Sequence, residues 1–257
     1  MTWRNRTRPA LSALLILACV ATGFCVCALL KELYVRGQGQ SYYTALSTGG
    51  GSPAEMQTDA PGSVGAYAAL PPSVDFAKLR GDSPAAVAWI RCRDTVIDYP
   101  VVQGTDNTYY LNHLPDGTAN KMGSILLDYR NAPDFTDKHS VLYGHYLNSG
   151  KMFSSLAGYG TQAYFDQHPT LTLHTPQGEY VVELFACYIA DSASETLPLY
   201  FEDTAAFQRY VAEIRRRSAI AAPVEVGASD RLITLCTCTG EYSRERILLT
   251  GRCAERP

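Results

Sequence analysis

The sequence predicts a mainly β domain with a few helices, closed or partly closed into a barrel and set behind an apolar N-terminal helix. Three observations lead there. From Val74 onward, short β-type runs separated by Gly, Pro, Asn and Asp turns dominate the chain. One strongly helical stretch, Glu202 to Arg217, interrupts them late. Before all of this, Ala10 to Leu30 carries no charge over a length that matches a bilayer core.

Bulk properties narrow the field. A chain of 257 residues holds one sizeable domain plus accessory segments. A formal net charge of -3 gives no basic stripe and no reason to expect a nucleic-acid partner. Tyr (17) outnumbers Phe (8) and Trp (2), which suits a β-rich domain with exposed grooves. The 8 cysteines include no CxxC pair and no Cys/His spacing of a structural zinc site. Cys92 and Cys187 read as small buried hydrophobes.

The elements follow in order. Arg4, Arg6 and Arg8 precede the apolar run, and Lys31 and Glu32 close it. Positive charge before a span keeps the N-terminus cytoplasmic and sends the rest outside. A cleaved signal peptide would have a shorter apolar core and a small-x-small site. Ala18-Cys19-Val20-Ala21 approximates such a site poorly and the apolar run continues past it, so an uncleaved anchor is expected. Cys19, Cys25 and Cys27 then read as apolar filler. The expected organisation is a cytoplasmic N-terminus (1–9), a transmembrane anchor (10–30), a flexible extracellular stalk (31–73) and a catalytic domain (74–257). The stalk is read from Gly- and Gln-rich composition between Tyr34 and Ser73.

In the domain, Asp75 to Arg80 reads as a helix. Ser83 to Ile90 reads as a second short helix, with Ser83 as N-cap and Pro84 at the first helical position. Strands are expected at Val96 to Val102, Ser124 to Asp128, Ser140 to Tyr143, Thr170 to His174 and Glu179 to Ile189. The late helix opens at Glu202-Asp203-Thr204, and Phe207, Tyr210, Val211 and Ile214 recur at helical spacing. Arg215 to Arg217 complement its dipole. Two strands, Arg231 to Cys238 and Arg246 to Arg252, complete the chain.

Nucleophilic cysteine chemistry needs a thiolate, an imidazole to move protons and a donor for the developing oxyanion. His145 follows a β-run at a Gly that can turn the backbone. In Arg231 to Cys238, alternation puts Ile233, Leu235 and Thr237 on one face and Thr234, Cys236 and Cys238 on the other. With the apolar set facing the core, Cys238 lies on an accessible face. Arg246 begins the next strand, and a hairpin brings it back beside Cys238. His113, His139, His168 and His174 read as surface or supporting residues. Tyr188, Tyr200 and the segment Ala219 to Ser229 read as groove lining.

These residues sit in motifs that resemble a known family. Thr234-Leu235-Cys236-Thr237-Cys238 matches the TLxTC motif of sortases, and Tyr143-Gly144-His145 with Gly150-Lys151-Met152-Phe153 resembles the class B segment around the catalytic His. Arg246-Ile247-Leu248-Leu249 resembles the strand carrying the family's Arg. Val87-Ala88-Trp89-Ile90, Ile97 to Gln103, Tyr109-Tyr110-Leu111, Gly123-Ser124-Ile125 and Asp128-Tyr129-Arg130 resemble the class B opening pattern. The likeness spans Val74 to Arg252.

The resemblance implies a sortase-type closed β-barrel of roughly eight strands, N-terminal helices and one long helix between late strands. It implies Cys238, His145 and Arg246 as catalytic residues and Thr234, Leu235, Cys236 and Thr237 as substrate-binding. The implied reaction cleaves a C-terminal sorting motif of a secreted protein after Thr. It passes through a thioacyl enzyme to an amine of the cell wall or a pilin lysine. No metal or cofactor is implied. Cys236 fills a position more often held by a small non-thiol residue, and a bridge to Cys238 two residues on would be strained. Tyr146 stands where Asn is common, and Arg244 competes weakly with Arg246. Alternatives are a membrane-tethered extracellular cysteine peptidase and a non-catalytic adhesin or binding domain. Papain-like enzymes place Cys before His, the reverse of the order here.

Overall fold

The structure, a computed structural model, describes residues 7–49, 74–238 and 243–255, with the side chains of 7–12, 48–49 and 238 outside that description. Helix α1 (Thr7–Gly49) opens the chain. The chain divides into two compact units at Tyr42/Tyr43. In the first unit Leu14, Leu17, Phe24 and Leu30 are all exposed. An apolar helix so uncovered is unfavourable in water, and among the described residues α1 alone is long and apolar enough to cross a membrane. Helix α1 runs through the first part of the segment expected to be a flexible stalk. Tyr43 and Leu46, three apart on one helical face, both find cover in the second unit, and that burial outweighs the poor helix propensity of Gly37 and Gly39. Residues 50–73, the rest of the expected stalk, lie outside the described residues.

The second unit begins its own elements with α2 (Phe76–Asp82), capped by Asp75, whose carboxylate accepts from the Ala77 and Lys78 amides. The expected second helix is instead strand β1 (Ala86–Arg91). Ser83 closes α2, its N–H donating to the Leu79 carbonyl. The run Ala-Val-Ala-Trp-Ile suits either state locally. Pairing decides it, because β1 bonds to strands on both sides and Ala88, Trp89 and Ile90 are buried.

Strands β2 (Asp98–Val102), β3 (Ile125–Leu127) and β4 (His139–Tyr143) follow, then the short helix α3 (Gln162–Gln167). Next come β5 (Thr170–Thr175), β6 (Gly178–Asp191), α4 (Thr204–Arg217), β7 (Arg231–Cys238) and β8 (Glu245–Glu255). The strands close into a barrel, as expected from the sequence, and their order is β1-β2-β3-β4-β7-β8-β6-β5. Closure leaves no unpaired sheet edge among the described strands. Pairing is antiparallel except at β2–β3 and β4–β7.

Helix α4 is capped by Asp203, which accepts from the Ala206 amide at 2.6 Å. Its Phe207, Val211 and Ile214 are buried in one cluster with Val141, Phe185, Tyr188, Leu199, Leu232, Cys236 and Leu248. Burial of each such side chain contributes on the order of 2 kcal/mol, so α4 is fixed to the barrel wall.

A buried polar chain crosses β4, β7 and β8. His139 is fully buried, its Nδ1 2.6 Å from the Pro198 carbonyl and its Nε2 2.7 Å from the Thr234 hydroxyl. Thr234 Oγ1 is in turn 2.8 Å from Thr250 Oγ1. A carbonyl only accepts, so Nδ1 carries the proton. Nε2 of the neutral ring then accepts from Thr234, and Thr234 accepts from Thr250. His139 and His174 are therefore core residues rather than surface ones.

Burial pushes the pKa of His139 down to about 4, against the pull of the Pro198 carbonyl. In the unfolded chain the same ring titrates near ~6.5. Stability from the neutral ring is thus complete above that value and lost as pH falls toward about 4. We expect His139 to account for up to about 3 kcal/mol of lost stability across this window. Urea denaturation of the full chain in detergent micelles, followed by tryptophan emission, should show that slope between pH 7 and pH 4.5. In His139→Gln the slope should flatten.

Candidate active site

The site is built at the end of the barrel where β4 and β7 finish. These two strands are parallel neighbours, with Tyr143 opposite Cys236. The ladder continues one step further, because the Gly144 amide donates to the Cys236 carbonyl at 3.1 Å. His145, the next residue, is therefore level with Cys238 on the adjacent strand. Across β7 and β8, Cys238 is directly opposite Arg246. Neighbouring strands are about 4.8 Å apart, so His145, Cys238 and Arg246 occupy one row across three strands. The Cys238 side chain itself lies outside the described residues, and its placement in the row is a backbone one.

Gly144 is required at its position. A Cβ there would come within 2.5 Å of Ile125 Cδ1 and 2.7 Å of Phe153 Cδ2, both on fully buried side chains. Beyond it the chain folds back on itself. The Phe153 amide donates to the His145 carbonyl at 3.0 Å, and Tyr146 bridges to Met152. Gly150 (φ 76) makes the turn, and Ser154 Oγ ties it by accepting from the Leu147 amide at 2.7 Å.

The His145 ring has one fixed nitrogen. Nε2 is 2.5 Å from the Leu111 carbonyl oxygen, which can only accept. Nε2 therefore carries a proton, and Nδ1 is the nitrogen left to exchange one. Arg246 is partly exposed, and its Nη1 donates to the Ser243 carbonyl at 3.2 Å. Arg244 is exposed, and its carbonyl accepts from the Ser192 amide. Of the two, Arg246 is the one registered opposite Cys238.

The remaining expected residues fall differently. Thr234, Leu235, Cys236 and Thr237 are all buried, at 5 % exposure or less. The face expected to be open is covered, because Cys236 joins the cluster beneath α4. Thr234 is engaged by His139 and Thr250. Tyr188 is likewise buried, its hydroxyl donating to Glu195 at 3.0 Å beneath the Arg217 guanidinium. Arg217 pairs with both Glu195 oxygens, at 3.0 and 2.8 Å, and fastens the β6–α4 connection to the end of α4. Tyr200 is exposed, and its hydroxyl donates to the Arg130 carbonyl. In the Ala219–Ser229 segment, Val224 and Val226 pack into the α4 cluster. Cys92 and Cys187 are buried as expected, and burial pushes the Cys187 thiol up to about 12.

Asp128 organises the wall next to the site. Its carboxylate is fully buried and accepts from Tyr143 Oη (3.0 Å), Asn107 Nδ2 (3.0 Å), the Arg130 amide (3.0 Å) and the Arg130 guanidinium (2.9 and 2.8 Å). Burial alone would push its pKa up, but these donors hold it below the usual carboxylate range. Tyr143, partly buried and beside that negative charge, is pushed well up. Asp128, Arg130 and Tyr143 stand in the quoted motifs, but spacing did not show that they meet, and the Leu111 carbonyl left no sign because a backbone acceptor has no residue type.

Compared with models of known protein families, the chain matches none. Sortase B of Listeria monocytogenes is 36% identical to it over 180 residues, covering 69% of this chain and 72% of that protein. Sortase B of Staphylococcus aureus is 30% identical over 179 residues, covering 69% and 73%. Among solved structures, a Staphylococcus aureus sortase B–substrate complex is similar with a TM-score of 0.68 at 29% identity, covering 71% of this chain and 85% of that one.

Removing the Asp128 carboxylate should leave the Tyr143 hydroxyl and the Asn107 amide without their acceptor. Asp128→Ala is expected to cost about 3 kcal/mol, and Tyr143→Phe, which removes one donor cleanly, about 1 kcal/mol. Denaturant midpoints of both variants and of the double variant test this; coupling between the two sites should be evident as non-additivity.

Proposed function

Since this chain belongs to the class B sortases, a family of cysteine transpeptidases, we propose that it cleaves a C-terminal sorting motif on secreted proteins and transfers the acyl part to an amine. The observation that carries this reading is the row His145, Cys238, Arg246 set by the β4–β7–β8 register. In the proposed reaction the Cys238 thiolate attacks the scissile carbonyl and its electrons move onto oxygen. The Arg246 guanidinium donates to that oxyanion. As the C–N bond breaks, His145 passes a proton from Nδ1 to the departing amine, leaving a thioester on Cys238. The acceptor amine then attacks the thioester carbonyl and gives its proton to Nδ1, and the C–S bond breaks to regenerate the thiolate. Throughout, Nε2 keeps its proton on the Leu111 carbonyl, so a flip of the ring would break that partly buried hydrogen bond.

In this reading Thr234, Leu235, Cys236 and Thr237 shape the strand floor that leads to Cys238, without exposing their own side chains. The acceptor is an amine of the cell wall or of a pilin lysine. The membrane helix, with Arg4, Arg6 and Arg8 before it, keeps the N-terminus inside and the barrel outside.

The test is the full chain in detergent micelles against a quenched-fluorophore library of sorting-type peptides with an added amine. Cleavage and amine transfer should fall by at least about a thousandfold in Cys238→Ala and His145→Ala, and by about a hundredfold or more in Arg246→Ala. Cys236→Ala should retain activity. Survival of transfer in Cys238→Ala would sink the site assignment, and a parent inactive on every peptide would overturn the transpeptidase activity and leave a non-catalytic, binding member of the family.

A further inference from the structure

We propose that Tyr43, near the end of α1, is a positioning residue for the His145 imidazole. Tyr43 is 6% exposed, and a phenol so buried needs an acceptor. Its hydroxyl donates to the Gly123 carbonyl at 2.6 Å, a short and well-formed bond. Gly123 is in the left-handed region (φ +63) and lies directly against the site. A Cβ added to it would strike the Leu111 carbonyl and come to 3.0 Å from His145 Cδ2. The peptide that Tyr43 grips is thus the one on which the His145 ring and its acceptor rest.

The grip extends to the Leu111 segment as a whole. The Ser124 amide donates to the Tyr110 carbonyl at 2.8 Å, Ser124 Oγ to the His113 carbonyl at 2.8 Å, and the Asn120 amide to the Asn112 carbonyl at 2.9 Å. Residues 109–113 and 120–124 therefore move together, and the Leu111 carbonyl moves with Gly123.

Tyr43 reaches His145 by a second route. Its ring meets Tyr99 edge-on, with centroids 5.2 Å apart. The Tyr99 hydroxyl accepts from the Met152 amide at 3.1 Å, and the next amide, Phe153, donates to the His145 carbonyl. One route supports the imidazole from below and the other holds its backbone. Both begin at one tyrosine at the close of the N-terminal helix. A ring nitrogen that loses its fixed acceptor spends less time in the geometry for proton transfer.

The experiment uses the full chain in detergent micelles, labelled with 15N-histidine, as parent, Tyr43→Phe and Tyr43→Ala. The phenylalanine variant keeps the ring against Tyr99 and removes the hydroxyl alone. Solvent exchange of the His145 Nε2–H should accelerate about fivefold to tenfold in Tyr43→Phe and further in Tyr43→Ala. The His139 Nδ1–H, bonded elsewhere in the barrel, serves as the control and should not change. On an active peptide, kcat should fall by a similar factor with KM within about twofold. Unchanged His145 exchange in both variants overturns the proposal. So does equal acceleration at His139, which would mean general loosening. The kinetic consequence rests on the transpeptidase reading, but the ring exchange does not. A parent inactive on every peptide would remove that reading and leave the exchange data to decide the role of Tyr43.

Discussion

The parallel register between β4 and β7 is the constraint on which the rest of this structure depends. His145 comes level with Cys238 only because Tyr143 pairs with Cys236 and the Gly144 amide extends that ladder. A slip of one residue would move the imidazole by about 3.3 Å and turn every β4 side chain to the opposite face. What resists the slip is the buried chain His139–Thr234–Thr250 across the same three strands. Out of register, its members would sit unpaired in the core, each at a cost of about 1–3 kcal/mol. Stability and site geometry therefore share a device.

Around that row the fold removes freedom from one side chain after another. Leu111 fixes one nitrogen of His145, the return from Gly150 fixes its backbone, and Phe153 fills the space that Gly144 leaves. Asp128 gathers Tyr143, Asn107 and Arg130 on the adjoining wall. On the far side, α4 covers the outer face of β7, and the Glu195–Arg217 pair holds the preceding connection across Tyr188. Arg246 is the contrast: partly exposed and bonded to the Ser243 carbonyl, it can exchange that partner for another acceptor at little cost.

Local chemistry made much of this legible in advance. Short β-type runs between turn residues marked seven of the strands, because β-branched and apolar residues bounded by turn formers suit a packed, pleated segment. Helix α4 announced itself through Asp203 and the Phe207, Val211, Ile214 spacing. The reading failed where a segment's state depends on something distant. Ser83 to Ile90 has a plausible helix start, yet it is the strand whose bonds to β2 and β5 close the barrel. The Gly-rich stretch after Tyr34 looked unable to order itself, and Tyr43 shows why part of it does: its partners are Tyr99 and Gly123.

What the sequence determined by itself was the set of parts: an apolar helix, a β-rich domain, and a cysteine, a histidine and an arginine in an order and motif that name the family. Those properties are written in residue type and short-range spacing, which the chain carries whether folded or not. The tertiary structure decided which of the five histidines are core, that the strand face expected to be open is covered by α4, and which nitrogen of His145 is held. Each of these turns on a contact between residues far apart in the chain, often with a backbone carbonyl as partner, and a carbonyl leaves no trace in residue type.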